Sequence, residues 1–144
     1  MLIIGGAGGV GSIAIQLAKR VWKLRTIATA SRSESVQFCK KMGADLVIDH
    51  RDLRQQLDKV NVKHVDYILD CNSSGDLFEQ LPSLLTSAGH ATFILPIIKP
   101  QNLVPLFTRR IAISFEWMFG RSQFDEEQVR KIYIFNCNVR TVVN

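Results

Sequence analysis

The chain has 144 residues, of which 47% are hydrophobic and 22% are charged, so its length and composition suit one globular domain. No apolar run approaches the roughly 20 residues of a membrane-spanning helix and no secretory signal is recognisable, so we expect a cytoplasmic protein without a membrane partner. The net charge of +5 comes from basic residues scattered along the chain, which argues against a nucleic-acid partner.

A glycine-rich turn follows a short apolar strand at the start of the sequence. Met1–Ile4 is a continuous apolar run, typical of a strand buried on both faces. The sequence GGAGGVGS follows at Gly5–Ser12, and Gly6, Gly8 and Gly11 fit the spacing G-x-G-x-x-G. In this pattern the glycines make a tight turn, let the backbone approach a pyrophosphate, and let the helix pack on the strand. The turn therefore predicts a nucleotide-phosphate site, and the absence of a following Gly-Lys-Ser/Thr excludes a P-loop.

The residues after the turn repeat with helical spacing. The apolar stripe that predicts the packed face consists of Val10, Ile13, Ala14, Leu17, Ala18 and Val21. The polar residues that face away are Gln16, Lys19, Arg20 and Lys23. Strand, glycine turn and amphipathic helix thus follow one another in the order that a dinucleotide site requires.

The rest of the chain alternates between predicted strands and predicted helices. Ser33 is expected to be the N-cap of the second helix, with Val36, Cys39 and Met42 inward and Gly43 as its stop. The further strands are predicted at Thr26–Ala30, Ala44–Ile48, Val65–Cys71, His90–Leu95 and Ile111–Trp117. The further helices are predicted at Arg51–Lys63, Asp76–Ala88 and Asp125–Ile132.

Prolines qualify two of these predictions. Pro82 lies inside the helix predicted at Asp76–Ala88, where it is tolerated if the helix begins near Leu81 and otherwise predicts a kink or a break. Three more prolines interrupt the segment between the fifth and sixth strands, which we predict to be a loop. These are Pro96, Pro100 and Pro105.

The alternation of elements predicts the architecture. Strands separated by helices of this length form parallel sheets with right-handed crossovers. We therefore predict an α/β fold with a doubly wound parallel six-stranded sheet, the Rossmann NAD(P)-binding fold. Ligands of such sheets lie at the carboxyl ends of the strands, so the cofactor is expected against Gly5–Ser12 and the ends of the fourth and fifth strands.

The cysteines and histidines do not follow the pattern of a metal site. The cysteines are odd in number and far apart: Cys39, Cys71 and Cys137. The histidines lack metal-ligand spacing: His50, His64 and His90. We expect reduced structural cysteines, histidines with structural or surface roles, and no bound metal.

The residues after the second predicted strand indicate which dinucleotide binds. Sites for NAD commonly have an acidic residue about 20 positions beyond the glycine turn, and methyltransferases need a similar carboxylate. This chain instead has Ala30, Ser31, Arg32 and Ser33 there. The planar guanidinium of Arg32 suits a phosphate dianion, and the hydroxyls of Ser31 and Ser33 are additional donors. We therefore predict NADP(H), although Ser33 fits a role as a helix cap equally well.

The chain resembles the medium-chain dehydrogenase/reductase superfamily, and within it the quinone-oxidoreductase-like and zinc-type alcohol dehydrogenase-like proteins. The matching segments are GGAGGVGSIAIQLAK at Gly5–Lys19, IATASRSES at Ile27–Ser35, KMGADLVIDHR at Lys41–Arg51, VDYILDC at Val65–Cys71 and ISFEWMFGRSQF at Ile113–Phe124. The resemblance implies hydride transfer from NADPH to a quinone, enone, aldehyde or other small electrophile. Because the sequence shows no catalytic zinc ligands, we expect a zinc-independent reductase.

The resemblance also implies positions for the cofactor contacts. These are Gly8, Gly9 and Val10 at the pyrophosphate, Ser31 and Arg32 at the 2′-phosphate, Cys71, Asn72 and Ser73 at the nicotinamide ribose, and Leu95, Pro96 and Ile97 at the nicotinamide. Phe115–Phe119 would lie close to the substrate cleft, and packing in a core or an interface is equally compatible with its aromatic residues.

The chain departs from the family pattern at both ends. Residues 1–132 fit the NAD(P)-binding domain, residues 133–144 form an atypical tail, and the N-terminal catalytic domain of the family is absent from the sequence. We therefore expect the chain alone to bind NADPH weakly and to turn over little substrate.

Two other roles are compatible with the same sequence. A non-catalytic NADP(H)-binding or redox-sensing module would look alike over this span, and it would bind NADPH without acceptor-dependent oxidation. The sixth-strand region Ala112–Phe119 is also a candidate edge for a homodimer.

Overall fold

The computed structural model describes residues 1–72, 75–117 and 120. One six-stranded sheet has the order β3-β2-β1-β4-β5-β6, and every pair of neighbouring strands is parallel. The strands are β1 (Leu2–Ile4), β2 (Ile27–Thr29), β3 (Leu46–Ile48), β4 (Val65–Asp70), β5 (Leu85–Phe93) and β6 (Ala112–Phe115). The helices are α1 (Gly9–Arg20), α2 (Ser33–Met42), α3 (Leu53–Lys59), α4 (Leu81–Leu84) and α5 (Val104–Thr108). This arrangement confirms the predicted doubly wound α/β sheet.

The two faces of the sheet carry separate hydrophobic cores. Leu2 and Ile4 belong to the core that also contains buried residues of α3, α4 and α5. Ile3 points to the other face and packs with Ile15 of α1 and Cys39 of α2. This alternation follows from the pleat of a strand, in which successive side chains point to opposite faces.

The ends of α2 show one correct and one shifted prediction. Gly43 ends the helix with a φ of +113°, a conformation that glycine adopts without strain. Ser33 is the first residue of the helix rather than its N-cap, and the N-cap position belongs to Arg32 without a side-chain capping bond. The cap prediction for Ser33 is therefore wrong by one residue.

The helix predicted at Asp76–Ala88 is wrong over its last four residues, which belong to β5. A short 3₁₀ turn at Phe78–Gln80 leads into α4. This helix begins at Leu81, so Pro82 lies in its first turn, where a proline is tolerated. Leu85 then pairs with Val65 and begins β5. Apolar residues at this spacing fit a helix or a buried strand, and the pairing with β4 decided between them.

The buried face of α1 also differs from the prediction. Ile15 and Ala18 are fully buried against the sheet, whereas Val10, Ile13, Leu17 and Val21 of the predicted apolar stripe are exposed. The cause lies in the glycine turn. A Cβ atom on Gly11 would lie 2.3 Å from the Gly5 carbonyl oxygen, so this close approach fixes the rotation of the helix.

Other predictions fall in the last part of the chain. The segment that contains Pro105 includes the short helix α5, which the loop prediction missed. The predicted helix Asp125–Ile132 and the tail 133–144 lie outside the described residues. Among the helices of the described residues, none has the length and apolar character needed to cross a membrane.

Candidate functional site

The glycine turn is held against the end of β2. Gly5 has a φ of +75°, and its N–H donates to the Thr29 hydroxyl at 3.0 Å. The Gly6 N–H donates to the Thr29 carbonyl oxygen at 3.2 Å. Thr29 thus holds the turn with both its hydroxyl and its carbonyl oxygen. The sequence did not predict this role, because it depends on the pairing of β1 with β2.

Each glycine of the turn meets a different environment. A Cβ atom on Gly6 would lie 2.8 Å from the Cβ of Ala28, so Gly6 allows the turn to pack on β2. Gly11 similarly allows α1 to approach Gly5. Gly9 has no other atom within 4 Å of the position of a Cβ, so the space beside it is open. These environments match the separate roles of turn, helix packing and ligand approach.

The start of α1 presents free backbone donors. Gly8 is the N-cap, and the Ser12 N–H donates to its carbonyl oxygen at 2.9 Å. The N–H groups of Gly9, Val10 and Gly11 come before that bond, in the first turn of the helix, where they have no carbonyl four residues earlier within the helix. A pyrophosphate is a suitable acceptor for such donors because the helix dipole is positive at this end.

A cavity of about 350 Å³ lies at the carboxyl ends of β1, β2, β3 and β4. Its lining includes Gly8 of the turn, Ser31 and Arg32 after β2, and Cys71 and Asn72 after β4. The structure therefore brings together sequence-predicted residues from three separate segments. The position agrees with the general rule for ligands of doubly wound sheets.

The side chains around this cavity favour a negative ligand. Arg32 and His50 line it, and among the described residues that line it none is aspartate or glutamate. Asp49 precedes His50 in the sequence, but its carboxylate is paired with Arg51. The Arg51 guanidinium donates to the two carboxylate oxygens at 3.0 Å and 2.8 Å. These hydrogen bonds hold the pKa of Asp49 well below its usual range, so its charge is balanced away from the cavity lining.

His50 and Ser35 are two lining residues that the sequence analysis did not assign to the site. His50 was expected to be structural or on the surface; its side chain is exposed, and it also borders the cavity. It follows β3 just as Ser31 follows β2, so the rule about carboxyl ends was the signal that could have found it. Ser35 lines the cavity, whereas the predicted Ser33 does not.

Cys71 lines the cavity as a protonated thiol. Burial, with a smaller contribution from the charge of Asp70, raises the pKa of Cys71 to about 11. A thiol with this pKa is a poor nucleophile at neutral pH. Cys71 therefore supplies shape and packing at this position, and both Cys71 and Cys39 are free cysteines as expected.

The remaining predicted contacts lie elsewhere or outside the described residues. Leu95 and Pro96 follow β5 at the same edge of the sheet, and neither lines the cavity. Phe115, at the end of β6, does not line it either and packs on Phe93 with ring centroids 5.9 Å apart. Ser73 lies outside the described residues.

The described side chains do not form a zinc site. Within residues 1–72, 75–117 and 120, no group of three or more histidine, cysteine, aspartate or glutamate side chains could hold a metal ion. A zinc ion needs three or four such ligands. The part of the chain that is described therefore does not fit a zinc ion.

Comparison with known proteins places this site in a family. Residues 9–131 match the family of zinc-binding dehydrogenases. A zinc-type alcohol dehydrogenase-like protein of Staphylococcus aureus strain Mu50 is 44% identical over 123 residues, which cover 84% of this chain and 36% of that protein. The crystal structure of an alcohol dehydrogenase superfamily protein from Novosphingobium aromaticivorans has a TM-score of 0.72 at 26% identity, over 88% of this chain and 37% of that one.

The chain thus spans little more than a third of the length of these relatives. The family match begins at Gly9, the first residue of α1, and covers strands β2 to β6 together with Arg32 and His50 of the cavity lining. The chain belongs to the zinc-binding dehydrogenase family of medium-chain oxidoreductases, and it carries the domain that binds the nicotinamide cofactor.

Proposed function

We propose that the chain is the NADP(H)-binding domain of a zinc-independent reductase of quinones, enones or other small carbonyl compounds. The observation that carries the proposal is the lining of the cavity, which contains Arg32 and His50 and, among the described residues, no carboxylate. A carboxylate at this position would favour the ribose hydroxyls of NAD(H) and would repel a 2′-phosphate. A guanidinium instead forms charge-assisted bonds with phosphate oxygens.

Different groups of the described residues would contact different parts of NADP(H). The first turn of α1 would hold the pyrophosphate, and Arg32 with the hydroxyls of Ser31 and Ser35 would hold the 2′-phosphate. Cys71 and Asn72 would border the ribose on the nicotinamide side. When bound, the nicotinamide supplies the hydride, while this chain binds and orients the cofactor.

The proposed substrate class is supported by a relative. A 2-methylene-furan-3-one reductase of Solanum lycopersicum is 43% identical over 65 residues, which cover 42% of this chain and 17% of that protein. Its name describes the reduction of an enone.

Location and assembly are further parts of the proposal. Free Cys39 and Cys71 suit the reducing cytoplasm, where we place the protein. We also propose a homodimer through the edge strand β6, because Ala112 and Phe115 are exposed and, among the described residues, one side of this strand has no neighbour in the sheet order.

Fluorescence titration with NADPH and NADH tests the choice of cofactor. Arg32→Ala is expected to weaken NADPH binding by roughly 10- to 100-fold, because it removes charge-assisted bonds to one phosphate. Binding of NADH, which lacks that phosphate, is expected to stay the same. Arg20→Ala is the matched control, since it removes an exposed arginine outside the cavity lining. Equal loss of NADPH and NADH binding, or no loss of either, would contradict the assignment of Arg32.

A further inference from the structure

His50 reaches the cofactor cavity from the loop that follows β3. Strand β3 pairs with β2, with Ile48 in register beside Thr29, and the Ala30 N–H donates to the Ile48 carbonyl oxygen at 3.0 Å. The two chain segments therefore leave the sheet side by side, one leading to Arg32 and the other to His50. Both residues line the cavity, so the structure places a histidine in the same site as a permanent cation.

The ring of His50 is accessible to a ligand. Its side chain is 55% exposed, and its Nδ1 lies 3.6 Å from a carboxylate oxygen of Asp49. This separation is longer than a hydrogen bond, and both oxygens of that carboxylate already accept hydrogen bonds from Arg51. A protonated imidazole has an N–H donor on each ring nitrogen. His50 can therefore donate to a phosphate without giving up a hydrogen bond to Asp49.

The charge of the cavity lining depends on few groups. Among the described residues that line it, the titratable side chains are those of Arg32, His50 and Cys71. Burial, with a smaller contribution from the charge of Asp70, raises the pKa of Cys71 to about 11, so this thiol is uncharged at neutral pH. Asp70 is buried at the end of β4, three strand spacings or roughly 14 Å from β3 across the sheet. Arg32 and His50 therefore set the charge of the lining near the end of β3.

The acidic residues closest in sequence to these two lie outside the lining. Asp49 is paired with Arg51, whose hydrogen bonds hold the pKa of that carboxyl well below its usual range. The Asp52 carboxylate accepts a hydrogen bond from a backbone N–H of α3 at 3.2 Å. Glu34, in the first turn of α2, is exposed and does not line the cavity. A proton gained by the histidine thus changes the net charge of the lining, with no carboxylate of the described lining residues to offset it.

We propose that His50 is a specificity-determining residue whose protonation sets how strongly the site prefers NADPH to NADH. This role rests on the proposed function, in which Arg32 holds the 2′-phosphate, and it adds a second, pH-dependent cation at the same phosphate. The protonated ring donates a charge-assisted hydrogen bond to a phosphate oxygen, whereas the neutral ring can donate only an uncharged one. NADH has no phosphate at this position, so its binding does not gain from the proton.

The preference for NADPH therefore falls as the pH rises. Histidine side chains change charge between about pH 5 and 8, and the second proton of a phosphate monoester dissociates near about pH 6. From about pH 6.5 to about 8.5 the 2′-phosphate thus stays largely a dianion while the histidine loses its proton. The ratio of the NADH to the NADPH dissociation constant is expected to be about three- to tenfold higher at the lower end of this range than at the upper end. The lower value allows for solvent screening of an exposed pair.

Fluorescence titration of the chain with both cofactors, at the two ends of this pH range, tests the role of His50. His50→Gln keeps a hydrogen-bond donor but cannot gain a proton, so it is expected to give the low ratio of the parent protein at both pH values. His50→Lys is charged at both and is expected to give a high ratio at both. His64→Gln is the matched control, because it removes an exposed histidine outside the cavity lining and should keep the pH dependence of the parent.

NMR titration of the histidine ring protons supplies a second readout, which reports on the ring itself. The chain has three histidines, and the resonance that is missing from His50→Gln identifies that of His50. Saturating 2′,5′-ADP is expected to move the midpoint of this titration to higher pH, because a dianion beside the ring favours its protonated form. Saturating 5′-AMP, which lacks the 2′-phosphate, is expected to leave the midpoint in place.

The outcomes distinguish this role from the proposed function. If the parent protein prefers NADPH by the same factor at both pH values, or if His50→Gln keeps the pH dependence, the role of His50 is overturned while that of Arg32 stands. A midpoint that responds equally to 2′,5′-ADP and 5′-AMP would also overturn it. If the parent protein does not prefer NADPH at either pH, the proposed function and the role of His50 are overturned together.

Discussion

Gly9 and Gly11 lie two residues apart in one turn, yet the structure has room for a side chain at Gly9 and none at Gly11. The space beside Gly9 is open, whereas a Cβ on Gly11 would lie 2.3 Å from a backbone oxygen of Gly5. Gly11→Ala is therefore expected to lower the free energy of unfolding by about 3 kcal/mol. Gly9→Ala is expected to leave stability unchanged or slightly increased, because alanine is the better residue inside a helix.

For NADPH binding, the expected effect falls on Gly9→Ala, the variant whose stability is expected to be unchanged or slightly increased. Gly9→Ala places a methyl group where the pyrophosphate is proposed to approach, so a loss of affinity of roughly tenfold is expected without a change in stability. Denaturant unfolding and fluorescence titration measure the two quantities on the same samples. A Gly9→Ala protein that binds NADPH like the parent would show that the pyrophosphate does not lie against this turn.

Individual site residues were predictable where a motif fixed their position. The spacing of the glycines and the position of Arg32 after β2 were sufficient to predict that Gly8 and Arg32 belong to one site, and both line the same cavity. His50 carried no motif, and its place at the cavity depends on β3 lying beside β2 in the sheet. Thr29 was missed for the same reason, since its hydrogen bond joins two segments that are 24 residues apart.

At the scale of elements, Asp45 joins the end of α2 to two neighbours. Its carboxylate accepts hydrogen bonds from Lys19 of α1 and, at 2.8 Å, from the Thr26 N–H just before β2. The hydrogen bond from Lys19, followed by that from Thr26, lowers the pKa of Asp45. A carboxyl group with a lowered pKa in the folded state stabilises the fold above its unfolded-state pKa, and the stabilisation is lost as the pH falls through the folded-state value.

Asp45→Asn is therefore expected to lower the free energy of unfolding by about 1 kcal/mol at pH 7. The difference from the parent protein should shrink as the pH falls below about 4, where carboxyl groups of the unfolded chain become protonated. Urea unfolding at a series of pH values measures it, with Glu79→Gln as a control on an exposed carboxylate. A difference that stays constant down to pH 3 would contradict a role for the charge.

The same scale explains which elements the sequence predicted correctly. The end of α2 was predictable because Gly43 is a local signal for the end of a helix. The segment around Leu85 has no such signal, and it became a strand because β4 lies beside it. The apolar stripe of α1 was recognised, but its burial was not, because Gly11 decides which face of the helix meets the sheet.

At the scale of the whole molecule, β6 is the last strand at one edge of the sheet in the part of the chain that the structure describes. If two copies join at this edge, the chain should elute with twice its own mass in size-exclusion chromatography with light scattering. Ala112→Lys is expected to shift the protein towards the monomer, because charges on an edge strand oppose pairing with another strand. Lys99→Ala, a change outside the edge strand, is the control. A monomer at every concentration of the parent protein would refute the proposed dimer.

The sequence by itself determined the presence of six strands in chain order, the parallel sheet and the position of the phosphate-binding turn. These follow from periodicity and from glycine spacing, which are local properties of the chain. The tertiary structure decided the rotation of α1, the start of β5 and the arrival of His50 at the cavity. Each of these depends on contacts between segments that are distant in sequence, and a local pattern carries no information about which partner such a segment will meet.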